Sequence, residues 1–219
     1  MSVVAEPAPA SQNVAKKSTA HYCTSLVNRA SDLLWELRLG IRTQGCAASP
    51  FPDAHPYGFL SYHTYFAILD SLKLSRNDVV VDLGCGKGRI CCAAAQYDIR
   101  ESIGVEIDPQ LAAAAQDNGL RMRRRRAPLR IVADSAVALD YDPVSVIVMF
   151  HPFGRDTMAA VMDRLEDSLA RRPRPLRIVY ANPLFDDVLA ERPWLERYAV
   201  WNPGSWSRIK FPVYFYRSR

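Results

Sequence analysis

The stretch Val79-Val80-Val81-Asp82-Leu83-Gly84-Cys85-Gly86-Lys87-Gly88-Arg89-Ile90 constrains the fold more than any other part of this chain. A β-branched apolar run ends in an acid, three alternating glycines follow, and small residues continue through Ala93, Ala94 and Ala95. The run reads as a strand buried on both faces, as in a parallel sheet. The alanines read as a helix able to pack closely on that sheet. Glycine permits positive φ and leaves room where another molecule meets backbone. A loop at the carboxyl end of such a strand is where open α/β sheets take ligands.

The glycine spacing narrows the ligand. The dinucleotide fingerprint G-x-G-x-x-G is broken because Arg89 stands at the third glycine position and Gly88 comes one residue early. No Gly-Lys-Ser/Thr closes the loop, so a P-loop is excluded. About 18 residues past Gly88 a second apolar run, Ile103-Gly104-Val105, ends in Glu106. A carboxylate there accepts hydrogen bonds from the ribose hydroxyls of an adenosine.

On these residues the chain resembles the class I S-adenosylmethionine-dependent methyltransferases. Asp82 to Gly88 is similar to their first motif and Glu106 to their ribose-binding acid. The resemblance implies a Rossmann-like, doubly wound α/β fold with a seven-stranded sheet whose last strand is reversed. It implies S-adenosyl-L-methionine as cofactor. The backbone of Gly84, Cys85, Gly86 and Gly88 would meet the cofactor's amino-acid moiety and sugar, and Asp82 would bind its ammonium or orient the loop. Ile107 would sit beside the ribose acid. Asp134, with Ser135 after it, would bind the adenine amino group, in preference to the alternative of a turn or cap aspartate.

Nearly half of the 219 residues are apolar and the formal net charge is +5, much of it in Arg121-Met122-Arg123-Arg124-Arg125-Arg126. That run is read as a solvated helix end, where cations suit the helix dipole, in preference to a nucleic-acid site. Five cysteines with no C-x-x-C and no Cys/His pairing at zinc spacing read as free thiols, with no metal. No apolar run approaches the roughly 20 residues of a membrane span, and no signal-peptide block is evident, so the expectation is a cytoplasmic protein.

Along the chain, 1–20 is expected to be a disordered tail, 21–75 a helical extension or lid, and 76–219 the cofactor-binding core. Leu26, Ala30, Leu33, Leu34 and Leu37 follow a helical period, so 24–39 is predicted to be an amphipathic helix, and Tyr62, Tyr65, Phe66, Leu69 and Leu72 predict another. Strands are predicted near 79–83, 102–107, 129–133, 145–150 and 176–180. A terminal hairpin over 198–201 and 208–216 completes the sheet.

The fourth strand ends in Met149-Phe150-His151-Pro152-Phe153-Gly154. In amino methyltransferases this position often reads Asn/Asp-Pro-Pro-Tyr/Phe, so Phe150 and His151 depart from that pattern. His151 is the catalytic candidate, as a positioned base worth about 10²–10⁴-fold or as a group that shapes the pocket. Phe150 and Phe153 pack on adenine or acceptor, or belong to the core. Tyr57-Gly58 resembles the entry segment of the histone lysine methyltransferases that lack a SET domain, which implies that Tyr57 crosses over the cofactor. With Tyr180-Ala181-Asn182-Pro183, the set also resembles a bacterial subgroup of class I methyltransferases that usually carries Asn-Pro-Phe-Gly where His151 begins this motif. The expected acceptor is an oxygen or nitrogen of a small molecule, because no recognition domain is appended. A protein lysine or an RNA is the alternative.

Overall fold

The computed structural model describes residues 19–204 and 210–219, with side chains from Asn28 onward. The tail expected over 1–20 falls almost wholly outside the described residues. Helices α1 (Thr19–Leu39) and α2 (Tyr62–Ser71) precede strand β1 (Val79–Leu83). There follow α3 (Arg89–Ala94), β2 (Glu101–Glu106), α4 (Pro109–Arg121) and β3 (Leu129–Ala133). Then come β4 (Val146–Phe150), α5 (Arg155–Arg171), β5 (Arg177–Ala181), α6 (Asp186–Ala190), β6 (Leu195–Trp201) and β7 (Val213–Ser218).

The seven strands form one sheet in the order β3-β2-β1-β4-β5-β7-β6. Strands β1 to β5 are parallel, and β7 runs antiparallel between β5 and β6. Strand order reverses beside β1, which opens a crevice at the carboxyl ends of β1 and β4. Alternate residues of β1 feed two cores: Val80 joins α1, α2 and α3 on one face, while Val79, Val81 and Leu83 join α5 on the other. The hairpin is shorter at its second strand than predicted, with β7 starting at Val213. Pro212 has no N–H for the ladder, and its carbonyl instead accepts the amide of Asn182 at 2.9 Å. Part of the predicted strand, 208–209, lies outside the described residues.

Helix α1 is turned over relative to the prediction. Ala30, Leu33, Leu34 and Leu37 face solvent, Leu37 with 73% of its surface exposed, while Asp32 and Glu36 are buried. The side chain of Leu26 is outside the described residues. The cause is Arg89, the residue that broke the dinucleotide fingerprint. Its guanidinium is 2% exposed and holds Asp32 at 2.9 Å and Glu36 at 3.2 Å. It also donates to Thr43 Oγ1 at 2.8 Å and lies 3.9 Å and 4.4 Å from the ring centres of Phe59 and Tyr62. A buried guanidinium needs carboxylates beside it, so the acidic stripe of α1 faces inward.

Candidate active site

Residues 47–58 form a strap across the crevice. One end pairs with the other through Ala47 and Tyr57, and the middle pairs Ala54 with Phe153 in the β4–α5 loop. His55 N–H donates to the Pro152 carbonyl at 3.0 Å, and Gly154 N–H to the Asp53 carbonyl at 2.9 Å. Beneath the strap lies a cavity of about 490 Å³. The cover is this strap and not the two helices: Tyr62 and Tyr65 are buried in the core, where Tyr65 Oη accepts the Leu60 amide.

Nine of the expected site residues line that cavity: Tyr57, Gly84, Gly86, Glu106, Ile107, Asp134, Ser135, Phe150 and His151. Gly84 and Gly86 take φ of +71° and +53°. A Cβ on Gly84 would sit 2.4 Å from Pro152, and one on Gly86 would sit 2.2 Å from the Tyr57 ring. The ring thus rests directly on the loop, anchored by its hydroxyl donating to the Thr43 carbonyl at 2.6 Å. Asp82 and Cys85 lie below the loop, beside a smaller adjoining cavity that shares Tyr57, Gly84 and Phe150. Gly88 caps α3 and packs toward Ala115.

Glu106 accepts the Gly86 amide at 2.7 Å and the Asp108 amide at 2.9 Å, which ties the end of β2 to the glycine loop. Burial raises its carboxyl above the usual range, against the pull of those amides. Asp82 is 3% exposed, and its carboxyl is held well above the ordinary range by burial and by the neighbouring Glu106 charge. Its one described hydrogen-bond partner is the Cys91 thiol at 3.7 Å. His151 and Asn182 end adjacent strands, both at positive φ, +41° and +52°. His151 Nδ1 lies 3.2 Å from Tyr180 Oη, and its ring centre lies 3.8 Å from that of His55. Burial, with the His55 charge adding, pushes its pKa down to about 4.

Other walls were not foreseen. Phe51, Asp53 and His55 reach the cavity from the strap, whose residues follow no period, and Asn182 reaches it from β5. Only Asn182 carried a signal, as the polar residue ending a strand beside β4.

A sheet in this order with a reversed final strand, a glycine loop on β1 and an acid ending β2 define the class I S-adenosylmethionine-dependent methyltransferase fold, and the chain has it. Residues 50–129 match the family model described as histone methylation protein DOT1. The ribosomal protein L11 methyltransferase of Xanthomonas oryzae pv. oryzae (strain MAFF 311018) is 32% identical over 151 residues, 65% of this chain and 45% of that protein. The protein-lysine N-methyltransferase of Saccharolobus islandicus (strain REY15A) is 33% identical over 88 residues, 38% of this chain and 52% of that protein. The chain spans about half the length of the curated relatives it matches. Among solved structures, TrmN from Thermus thermophilus superposes with a TM-score of 0.56 at 19% identity, covering 74% of this chain and 50% of that one. An RNA methyltransferase from Salinibacter ruber, in complex with S-adenosyl-L-homocysteine, gives 0.54 at 17% identity, covering 74% and 94%.

The expected fold and the S-adenosylmethionine cofactor are borne out at this level. The small-molecule acceptor is not: the relatives that share this sequence are named for protein acceptors. Size does not separate the acceptor classes: 88 residues already make 52% of the Saccharolobus protein. Among the described residues no helix is long and apolar enough to cross a membrane.

The pocket fits the cofactor. Gly84 and Gly86 line the cavity, a strand-terminal carboxylate holds their loop, and Asp82 is a buried acid with no counter-charge among the described residues. Asp82 also links the site to stability. In the unfolded chain its carboxyl ionises near pH 3.9, while in the fold it keeps its proton to higher pH. Its contribution is therefore fully present below the unfolded value and is lost as pH rises through the folded one. Asp82→Asn removes that loss. The free protein should melt several degrees higher near neutral pH, at roughly 2–4 °C per kcal/mol for a chain of this size. Affinity for S-adenosylhomocysteine should fall, read by calorimetry beside the melt.

Proposed function

We propose that the chain transfers a methyl group from S-adenosylmethionine to a nitrogen on a protein. The observation that carries this is the strap. All of it from residue 50 onward falls within the segment that matches the histone-methylation family, and it lies over the glycine loop with Tyr57 on Gly86. Phe51, His55, Phe150, His151 and Phe153 wall part of the cavity beneath it. The names of the ribosomal-protein and protein-lysine methyltransferases support the same acceptor class.

When bound, S-adenosylmethionine supplies an electrophilic methyl on a sulfonium sulfur. In this reading Gly84 and Gly86 hold the amino-acid end through backbone, and Asp82 takes the ammonium and gives up its proton to do so. Glu106 meets the ribose, and Asp134 and Ser135 meet the adenine edge. The aromatic rings of the wall exclude water and present π faces to cationic nitrogen and sulfur, worth about 0.5–2 kcal/mol each. Holding donor and acceptor in line supplies most of the barrier reduction, with effective molarities of about 10⁵–10⁸ M.

The test is transfer of labelled methyl from the cofactor to a bacterial extract. Label should appear in macromolecules, sensitive to protease and resistant to ribonuclease. Ribonuclease-sensitive label would move the acceptor to RNA. The exposed arginine run favours that second reading, since Arg123, Arg124 and Arg126 form no ion pair among the described residues.

A further inference from the structure

The hydrogen bonds around His151 determine which of its nitrogens carries the proton. Tyr180 is fully buried, and its hydroxyl oxygen accepts the amide of Phe185 at 3.3 Å, while the Leu184 amide donates to the Asn182 carbonyl at 2.9 Å. A buried hydroxyl hydrogen needs an acceptor, and the bond from the Phe185 amide supplies none for the Tyr180 hydrogen. The acceptor within reach is His151 Nδ1, at 3.2 Å. A neutral imidazole that accepts at Nδ1 carries its proton on Nε2. His151 Nε2 is buried, belongs to a residue 7% exposed, and has no hydrogen-bond partner among the described residues. His151 lines the main cavity. An unpaired buried N–H costs about 1–3 kcal/mol, and positive φ at a non-glycine residue adds strain of the kind that gathers at functional sites.

We propose that Tyr180 holds His151 as a neutral Nε2–H donor, and that this N–H is a binding site for an oxygen acceptor on the ligand. Two sources carry that chemistry: the carboxylate of the cofactor's amino-acid end, and a carbonyl oxygen next to the methylated group of the acceptor. A cationic ammonium does not satisfy the site, because it has only hydrogens to offer. Burial holds the His151 pKa down to about 4 and pushes that of Tyr180 up to about 12, so both protons stay in place across the neutral range. His151 thus acts by hydrogen-bond donation and has no free lone pair for the base role weighed from its sequence position. The tautomer does not depend on the proposed transfer reaction; only the identity of the ligand oxygen rests on that reading.

The test is ¹⁵N-edited NMR of the histidine side chains in the full chain at pH 7, with His151 assigned by its loss in His151→Asn. The expected spectrum has protonated Nε2 and unprotonated Nδ1. Tyr180→Phe, which keeps the ring, should release the preference and move both nitrogens toward intermediate shifts. Three probes then find the oxygen. A shift of the Nε2 proton with S-adenosylhomocysteine but not with methylthioadenosine, which lacks the carboxylate, places the cofactor's carboxylate there. A shift only with N-methylacetamide, added to the S-adenosylhomocysteine complex, places an acceptor carbonyl there. A proton on Nδ1, an imidazolium at pH 7, or an Nε2 proton that moves with none of the probes overturns the proposal. Failure of methyl transfer in extract leaves these spectra unchanged, so the two readings fail separately.

Discussion

Replacing Arg89 with methionine should destabilise the protein by about 3–5 kcal/mol, the range found when one partner of a buried ion pair is removed. The substitution leaves Asp32 and Glu36 buried without a cation. Glu36 keeps the Thr43 amide at 2.8 Å and hydroxyl at 2.6 Å, and Asp32 keeps the Tyr62 amide at 2.9 Å, but neither set supplies charge. Arg89→Lys should recover little, because one ammonium does not reproduce a planar fork reaching Asp32, Glu36, Thr43 and the Leu60 carbonyl. Adding Asp32→Asn and Glu36→Gln to Arg89→Met should restore most of the loss, since the carboxylates would no longer need a partner. Urea denaturation followed by circular dichroism reads all four proteins. Equal stability of Arg89→Met and the parent would mean that α1 is not held through this contact. The same variant should weaken cofactor binding, because Arg89 is the first residue of α3, directly after the glycine loop.

The second large effect is expected at Gly86. Alanine there has to tolerate φ of +53° and a Cβ 2.2 Å from the Tyr57 ring. The ring cannot simply swing away: its hydroxyl is bound to Thr43, its amide donates to the Ala47 carbonyl at 2.8 Å, and Lys87 Nζ lies 5.5 Å from its centre. Left-handed backbone at alanine costs about 1–2 kcal/mol and overpacking about 1–3 kcal/mol. The free loop relieves this cost by shifting, and binding has to restore its shape, so affinity for S-adenosylhomocysteine should fall on the order of 100-fold by calorimetry, at about 1.4 kcal/mol per tenfold. Tyr57→Ala in the same chain should recover the steric part and leave the backbone part. Unchanged affinity in Gly86→Ala would show that the ligand does not use this loop.

The centre of the sheet was legible because β1, β4 and β5 are apolar runs ended by a turn, and the glycine spacing carried the ligand class. Arg89 illustrates what was not legible. As a departure from G-x-G-x-x-G it excluded a dinucleotide, but its partners lie 57 and 53 residues away, on a helix whose leucine period pointed the other way. A one-dimensional period assigns the apolar stripe to the core, and a single buried guanidinium outweighed three leucines. The strap was illegible for a different reason. Its hold on the β4–α5 loop runs through main-chain atoms of His55, Asp53, Pro152 and Gly154, and backbone bonds leave no trace in residue type. Hence His55 and Phe51 were missed while Tyr57, carried by a motif, was not. The acceptor was illegible because nothing in the residues that end β4 names what approaches them.

The strap also bears on when ordering entropy is spent. Fixing backbone takes roughly 1–2 kcal/mol per residue, and a loop that orders only around its ligand draws that from binding affinity. Here residues 47–58 are docked through paired main-chain contacts to other parts of the protein, over a cavity of about 490 Å³. Their ordering is charged to folding, so a ligand entering this pocket keeps most of its contact energy as affinity.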